Sequence, residues 1–363
     1  MLAHSPVRPT TQRRLPLHRS VRALLRFWWN MACVGVLVGC ADFSSTPRLT
    51  PTATPLPTLR AIEEFAIPTP HSDAYGIANG PDGNLWFTES KPFKIGRITP
   101  QGALTEFPIT SSPLPNAFIT GIATGPDGNL WFTMVNGASA IGRVTPQGVF
   151  TEFPLPSPDG DPAGIAAGTD KALWFTEASA NKIGRITASG AVTEFLVPTP
   201  NANPIGISVG PDGALWFTES GRFMGGELSG GNKIGRITPE GAVTEFPLPT
   251  HQSGPIAITA GPDGNLWFTE EVANKVGRIT PQGVITEFPL PTPQSAPHEI
   301  TAGPDGALWF TEGRANKIGR ITSDGAITEF PVPTPQGFPW AISSGPDKTV
   351  WFTERIGKIG KVS

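Results

Sequence analysis

One histidine and six glutamates carry most of the chemistry this sequence could perform. His298 stands in the stretch SAPHEITAG, residues 295–303, where the preceding unit reads SGPIAITAG and the following one GFPWAISSG. Its equivalents are therefore Ile256 and Trp340. An imidazole in that place would exchange a proton near neutral pH or hold a ligand by a hydrogen bond. The glutamates recur as Glu89, Glu177, Glu219, Glu270, Glu312 and Glu354, with Met134 at the seventh equivalent place. Carboxylates can ligate a hard cation. Six equivalents are also what a scaffold would use, each bonding its own Asn-Lys turn. Glu299, beside His298, should point the opposite way on a strand. His71 and His251 lie in loops leading into the equivalent segments.

The elements that must position these residues are repeated. The Trp of a WFT phrase falls at Trp86, Trp131, Trp174, Trp216, Trp267, Trp309 and Trp351, with spacings of 45, 43, 42, 51, 42 and 42. The Phe of an EF phrase follows the same rhythm at Phe65, Phe107, Phe153, Phe195, Phe246, Phe288 and Phe330. A period near 42 over seven copies marks a repeat architecture. Each unit reads as four short strands separated by Pro-Asp-Gly, Asn-Lys and Pro-Gln-Gly turns, which accounts for 42 Gly and 41 Pro in 363 residues. Leu85 and Phe87 should face one side of their strand and Trp86 the other. Both sides are then apolar, so each sheet is buried between like sheets.

These features predict an all-β fold, a seven-bladed β-propeller of four-stranded antiparallel blades. The repeats begin with a lone EF strand, Ile62–Ala66, and end just before an EF strand would come. The N-terminal strand should therefore pair with the C-terminal blade and close the ring, leaving no open edge.

In such a blade the start of strand one and the end of strand two lie at the same end of the sheet. Tyr75, Thr120, Ala163, Ile205, Ile256, His298 and Trp340 should thus ring one mouth together with the glutamates. A mouth of variable residues on a rigid frame is where a ligand is expected. Tyr75, His298 and Trp340 are the candidate ligand contacts. The longer connection SGRFMGGELSGGN, residues 220–232, should emerge at the same mouth as a flap or a tolerated insertion.

Residues 1–40 read as a lipoprotein-type signal segment. They carry six Arg and no acid, followed by an apolar run over residues 27–38 and the sequence Leu37-Val38-Gly39-Cys40. The run is short for a membrane span. The expectation is a protein lipid-anchored at Cys40 to the bacterial cell envelope, with membrane contact only there. Residues 41–60 read as a Pro/Thr-rich linker and residues 61–363 as the propeller. Beyond residue 40 there remain 21 basic against 30 acidic residues. That balance argues against a nucleic-acid partner. A monomer is expected.

The phrases LWFTE, NKIGRIT and ITEFPLPTP resemble the streptogramin B lyase (virginiamycin B lyase) family over residues 61–363. That resemblance implies Mg²⁺-dependent opening of cyclic depsipeptide antibiotics by elimination. It implies substrate binding by His298, which follows Pro297, and metal binding by Glu354, fourteen residues after Trp340. The family's other metal-binding Glu falls on Phe338 and its catalytic base on Trp340. Phenylalanine offers no oxygen ligand and tryptophan no base. The expectation is therefore a non-catalytic binding propeller, without a cofactor, for a small peptide-like or glycan ligand. The alternatives are a Mg²⁺-dependent carbon–oxygen lyase acting on type B streptogramins and a structural protein-interaction module.

Overall fold

The computed structural model describes residues 61–109, 117–224 and 227–363. The expected signal segment, Cys40 and the linker lie outside them. Seven four-stranded antiparallel sheets span residues 74–108, 118–154, 162–196, 204–247, 255–289, 297–331 and 339–362, called blades 1 to 7. The strand Ile62–Ala66 completes blade 7. It pairs with Lys358–Val362 in the register Ile62↔Val362 to Ala66↔Lys358. Ring closure by the N-terminal strand is thus present as the sequence predicts.

Alternating side chains build the seams between blades. Leu85 and Phe87 of blade 1 pack with Trp351 and Ile359 of blade 7, while Trp86 faces Ile119, Leu130 and Phe132 of blade 2. All seven of these Trp side chains are fully buried, each worth on the order of 2–3 kcal/mol of apolar transfer. Burial requires a partner for each indole N–H. The aspartate of the Pro-Asp-Gly turn provides one in blade 1, where Trp86 Nε1 donates to Asp82 Oδ1 at 3.0 Å. The Gly of the KIGRI strand is equally specific. A Cβ on Gly96 would lie 2.1 Å from the Phe87 ring, so only glycine lets that ring cross the sheet.

A ring of threonines ties blade to blade. Strand one carries a register shift in every blade, between Ala74 and Ile77 in blade 1, which breaks the ladder. The strand-two Thr repairs it. Thr88 Oγ1 accepts from Gly76 N at 2.9 Å and donates to Thr120 O of blade 2 at 2.8 Å. The same donation recurs from Thr133, Thr176, Thr218, Thr269, Thr311 and Thr353, the last reaching Tyr75 O across the closure. The acceptors are the backbone carbonyls of the variable strand-one residues. Their main chain is therefore fixed while their side chains are free to differ.

The repeated glutamates differ from the expectation. All six are fully buried, and none of their carboxylate oxygens has a hydrogen-bond partner among the described residues. The turn asparagines are satisfied elsewhere: Asn181 Nδ2 donates to Val197 O and Thr199 O. Each buried Glu instead lies beside a second, ion-paired Glu of strand four. In blade 7 that neighbour is Glu64, bound to Lys358 at 2.8 Å. Burial first, and the Glu64 charge second, push the Glu354 carboxyl up to about 8. Glu89, Glu177 and Glu219 behave alike for the same reasons. The long connection of blade 4 contains a short hairpin, Arg222–Met224 paired with Glu227–Ser229. Arg222 Nη2 anchors it to Ser179 O of blade 3 at 2.9 Å.

Candidate functional site at the mouth

The mouth brings Tyr75, His298 and Trp340 together, one each from blades 1, 6 and 7. Each opens its strand one, and each has its carbonyl held by a threonine of the preceding blade. The His298 ring lies on Trp340 with centroids 3.8 Å apart and a tilt of 31°. Trp340 meets Tyr75 edge-on at 5.2 Å and 67°. The guanidinium carbon of Arg355 sits 4.9 Å from the Tyr75 centroid and 4.8 Å from that of Trp340. Arg355 Nε donates to Asp73 Oδ1 at 2.9 Å, which holds the cation in place over both rings. The result is one stacked layer spanning the ring closure.

Arg355, Asp73 and Glu271 belong to this site although their types were not singled out in the sequence. Arg355 and Glu271 directly follow the buried strand-two Glu, where the other blades have Ser90, Val135, Ala178, Ser220 and Gly313. That position varies as widely as strand one does, and the same comparison of copies would have exposed it. Glu271 Oε1 stands 4.0 Å from His298 Nε2. His298 is 7% exposed and its Nε2 has no hydrogen-bond partner among the described residues. Burial, with the Arg355 and Arg314 charges adding, lowers the imidazole to about 3 and keeps it neutral. Burial raises Glu271 to about 7, opposed by Arg314.

The residues implied for metal binding do not fit a hard divalent cation. Glu354 is the only carboxylate among them. Its Oε2 is tucked against Gly337, where a Cβ would come within 2.3 Å, and Glu177 lies against Gly160 in the same manner at 2.4 Å. Glu354 is thus packed like its repeats. Phe338 takes the place of the second ligand with its side chain 43% exposed. Its φ of 50° is the left-handed conformation that Asp73, Asp161, Asn203 and Ala296 adopt in other blades. Among the described residues no three His, Cys, Asp or Glu side chains gather as a metal site. Glu299 is half-buried and raised to about 7 by burial. It is not part of the stacked layer. His71 and His251 are exposed and do not join it either.

A closed seven-bladed β-propeller with one polar and aromatic arc at its mouth defines the class of protein. The chain belongs to the virginiamycin B lyase family, which it matches over residues 56–230 and 168–363. A solved streptogramin B lyase is 43% identical, with a TM-score of 0.77, over 84% of this chain and 98% of that one. A catalytically inactive virginiamycin B lyase variant from Staphylococcus aureus, solved with quinupristin, is 42% identical with a TM-score of 0.76, over 84% and 99%. The virginiamycin B lyase of Bordetella parapertussis is 48% identical over 46 residues, 13% of this chain. That match spans 15% of the curated relative's length.

Proposed function

We propose that this chain is a binding propeller that holds a small peptide-like or glycan ligand at its mouth without turning it over. The observation that carries this reading is the stacking of Trp340 on His298 at 3.8 Å. An indole occupies the place where an elimination needs a base, and it covers the face of the imidazole that survives. Phe338 supports the reading from a second side. A bulky residue at positive φ costs about 1–2 kcal/mol, and its half-exposed ring gains little from packing. Strain of that kind is tolerated where a side chain serves binding. Anchoring at Cys40 to the bacterial cell envelope, and a monomeric state, complete the proposal.

One observation favours a second reading, a lyase. His298 and Glu354 remain, and the identity to a streptogramin B lyase is spread over nearly that whole chain. The test is incubation of the purified protein with quinupristin and Mg²⁺, followed by mass spectrometry of the ligand after hydrolysis-free quenching and by fluorescence titration of Trp340. Binding with no ring-opened product is expected. Turnover that EDTA abolishes would replace the binding reading with the lyase, and absence of any mouth ligand would leave a structural module.

A further inference from the structure

In blades 1 and 4 two carboxyls meet with no donor between them. Glu89 and Glu219 close strand two, are fully buried, and receive no hydrogen bond among the described residues. The strand-four Glu106 lies within hydrogen-bond reach of Glu89, and Glu245 within reach of Glu219. Each pair has one cation, and it is bound to the strand-four member: Lys94 to Glu106 at 3.0 Å and Lys233 to Glu245 at 2.7 Å. On the side of the preceding blade the same strand-two face packs into apolar clusters through Leu85 and Phe87, and through Leu215 and Phe217. The loop entering blade 4, residues 197–203, carries no charge. That entering blade 1 carries the exposed His71, and Asp73, which is paired with Lys91 and Arg355.

Two carboxylates sharing one lysine leave a buried negative charge. Protonating one of them costs far less than burying it ionised. The protonated carboxyl then becomes a donor, its neighbour accepts, and the resulting O–H···O⁻ bond is a strong one. Burial first, and the neighbouring carboxylate second, raise both Glu89 and Glu219 to about 8.

The strand-four carboxylate also holds a loop. Glu106 Oε1 accepts from Thr69 N at 3.1 Å, and Glu245 Oε1 from Thr199 N at 2.9 Å. These threonines stand in the loops that run into strand one, and so into Tyr75 and Ile205 at the mouth. Each loop passes through two left-handed residues on the way, His71 and Asp73 or Asn201 and Asn203. The loop also covers the buried acid. In blades 3 and 7 the residues equivalent to Ser72 and Ala202 are Gly160 and Gly337, and a Cβ on either would come within 2.4 Å of the strand-two carboxyl.

We propose that Glu89 and Glu219 are carboxylic acids in the folded protein, each sharing its proton with the strand-four carboxylate, and that this proton latches the loop entering its blade at the mouth. Opening the loop hydrates the acid, its O–H bond breaks, and water takes the proton. Opening therefore becomes easier as pH rises from about 4.5 to about 8, and levels off above that. The latch is independent of what the mouth binds.

Two measurements on the full chain test it. The infrared difference between the parent and the double variant Glu89→Gln, Glu219→Gln near pH 6 should contain the C=O stretch of a protonated carboxylic acid. Native-state hydrogen exchange should show the protection of the Thr69 and Thr199 amides, corrected for intrinsic rate, falling by about tenfold per pH unit between pH 5 and 7.5. Strand-ladder amides of the same blades should fall less. In the double variant the Thr69 and Thr199 protection should be flat with pH, because a glutamine amide donates to the strand-four carboxylate at every pH. Should the variant not fold, the acid band and the exchange series of the parent decide alone. Absence of the band, or Thr69 and Thr199 protection that is flat with pH in the parent, overturns the latch.

Discussion

Blades 2 to 4 and the arc of blades 5, 6, 7 and 1 share one backbone and differ in what they show at the mouth. In the first arc the strand-one position holds Thr120, Ala163 and Ile205, and the turn after strand two holds Val135, Ala178 and Ser220. In the second the corresponding positions hold His298, Trp340 and Tyr75, with Glu271 and Arg355, and only Ile256, Gly313 and Ser90 are bland. The threonine bonds to the strand-one carbonyls are the same in both, at 2.7–2.8 Å for blades 2 to 4 and 2.5–2.7 Å elsewhere. The frame is therefore indifferent to the side chain it carries. Chemistry can be concentrated in one arc at no cost to the ring.

Blade 2 shows the same indifference inside the protein. Where other blades bury a Glu opposite a Lys, it has Met134 opposite Ala140. The Lys is lost together with the buried Glu, while the strand-four Glu152 stays and is more exposed than its equivalents. A buried charged group is often replaceable by an apolar residue without loss, and Met134 in blade 2 is a natural instance.

The largest effect should come from breaking the frame beneath both arcs. Deleting residues 61–67 removes the strand paired with Lys358–Val362 and the Lys358–Glu64 ion pair. A loss of several kcal/mol is expected, read as a lower urea midpoint together with loss of ligand binding. An unchanged midpoint would mean that closure contributes nothing.

Copying blade 2 into blade 1 sharpens the comparison from the other side. Glu89→Met with Lys94→Ala also takes Lys94 away from Glu106, a partly exposed pair worth about 0–1 kcal/mol, so a net effect near neutral is expected. The effect should depend on pH. The folded pKa of Glu89 is raised to about 8 from 4.5 by burial. The folded state therefore binds more protons than the unfolded one between pH 4.5 and 8, and stability falls as pH rises through that window. Urea melts at pH 5 and 8.5 should show a smaller pH slope in the double variant than in the parent. An equal slope would show that the Glu89 carboxyl titrates normally.

Matched threonine changes separate frame from function. Thr176→Val and Thr269→Val each unpair a strand-one carbonyl, Ile205 O in one arc and His298 O in the other. Both should cost about 1–3 kcal/mol, whereas only Thr269→Val should weaken mouth binding. Equal binding losses would dissolve the distinction between the arcs. The smallest expected effect is at Phe338. Phe338→Asn relieves a bulky residue at φ 50° and should gain about 1 kcal/mol while weakening the ligand, measured by melting and by fluorescence titration. No gain in stability would mean that the ring's packing offsets the strain.

The sequence by itself determined the ring. Trp spacing fixed the number of blades, alternation in LWFTE fixed which faces are buried, and the placement of Phe65 against the C-terminal strand fixed the closure. These are local periodicities, and local chain geometry enforces them. It also placed Tyr75, His298 and Trp340 at one mouth, because register within a blade is local too. Tertiary structure decided what meets across the seams. Arg355 reaches Asp73 and Tyr75 from the far end of the chain, and Glu271 approaches His298 from another blade. It also left the six buried carboxyls without hydrogen bonds among the described residues, where the repeat suggested a turn bond. Such encounters depend on the angle between neighbouring blades and on side-chain reach over a few ångströms, and a linear spacing carries neither.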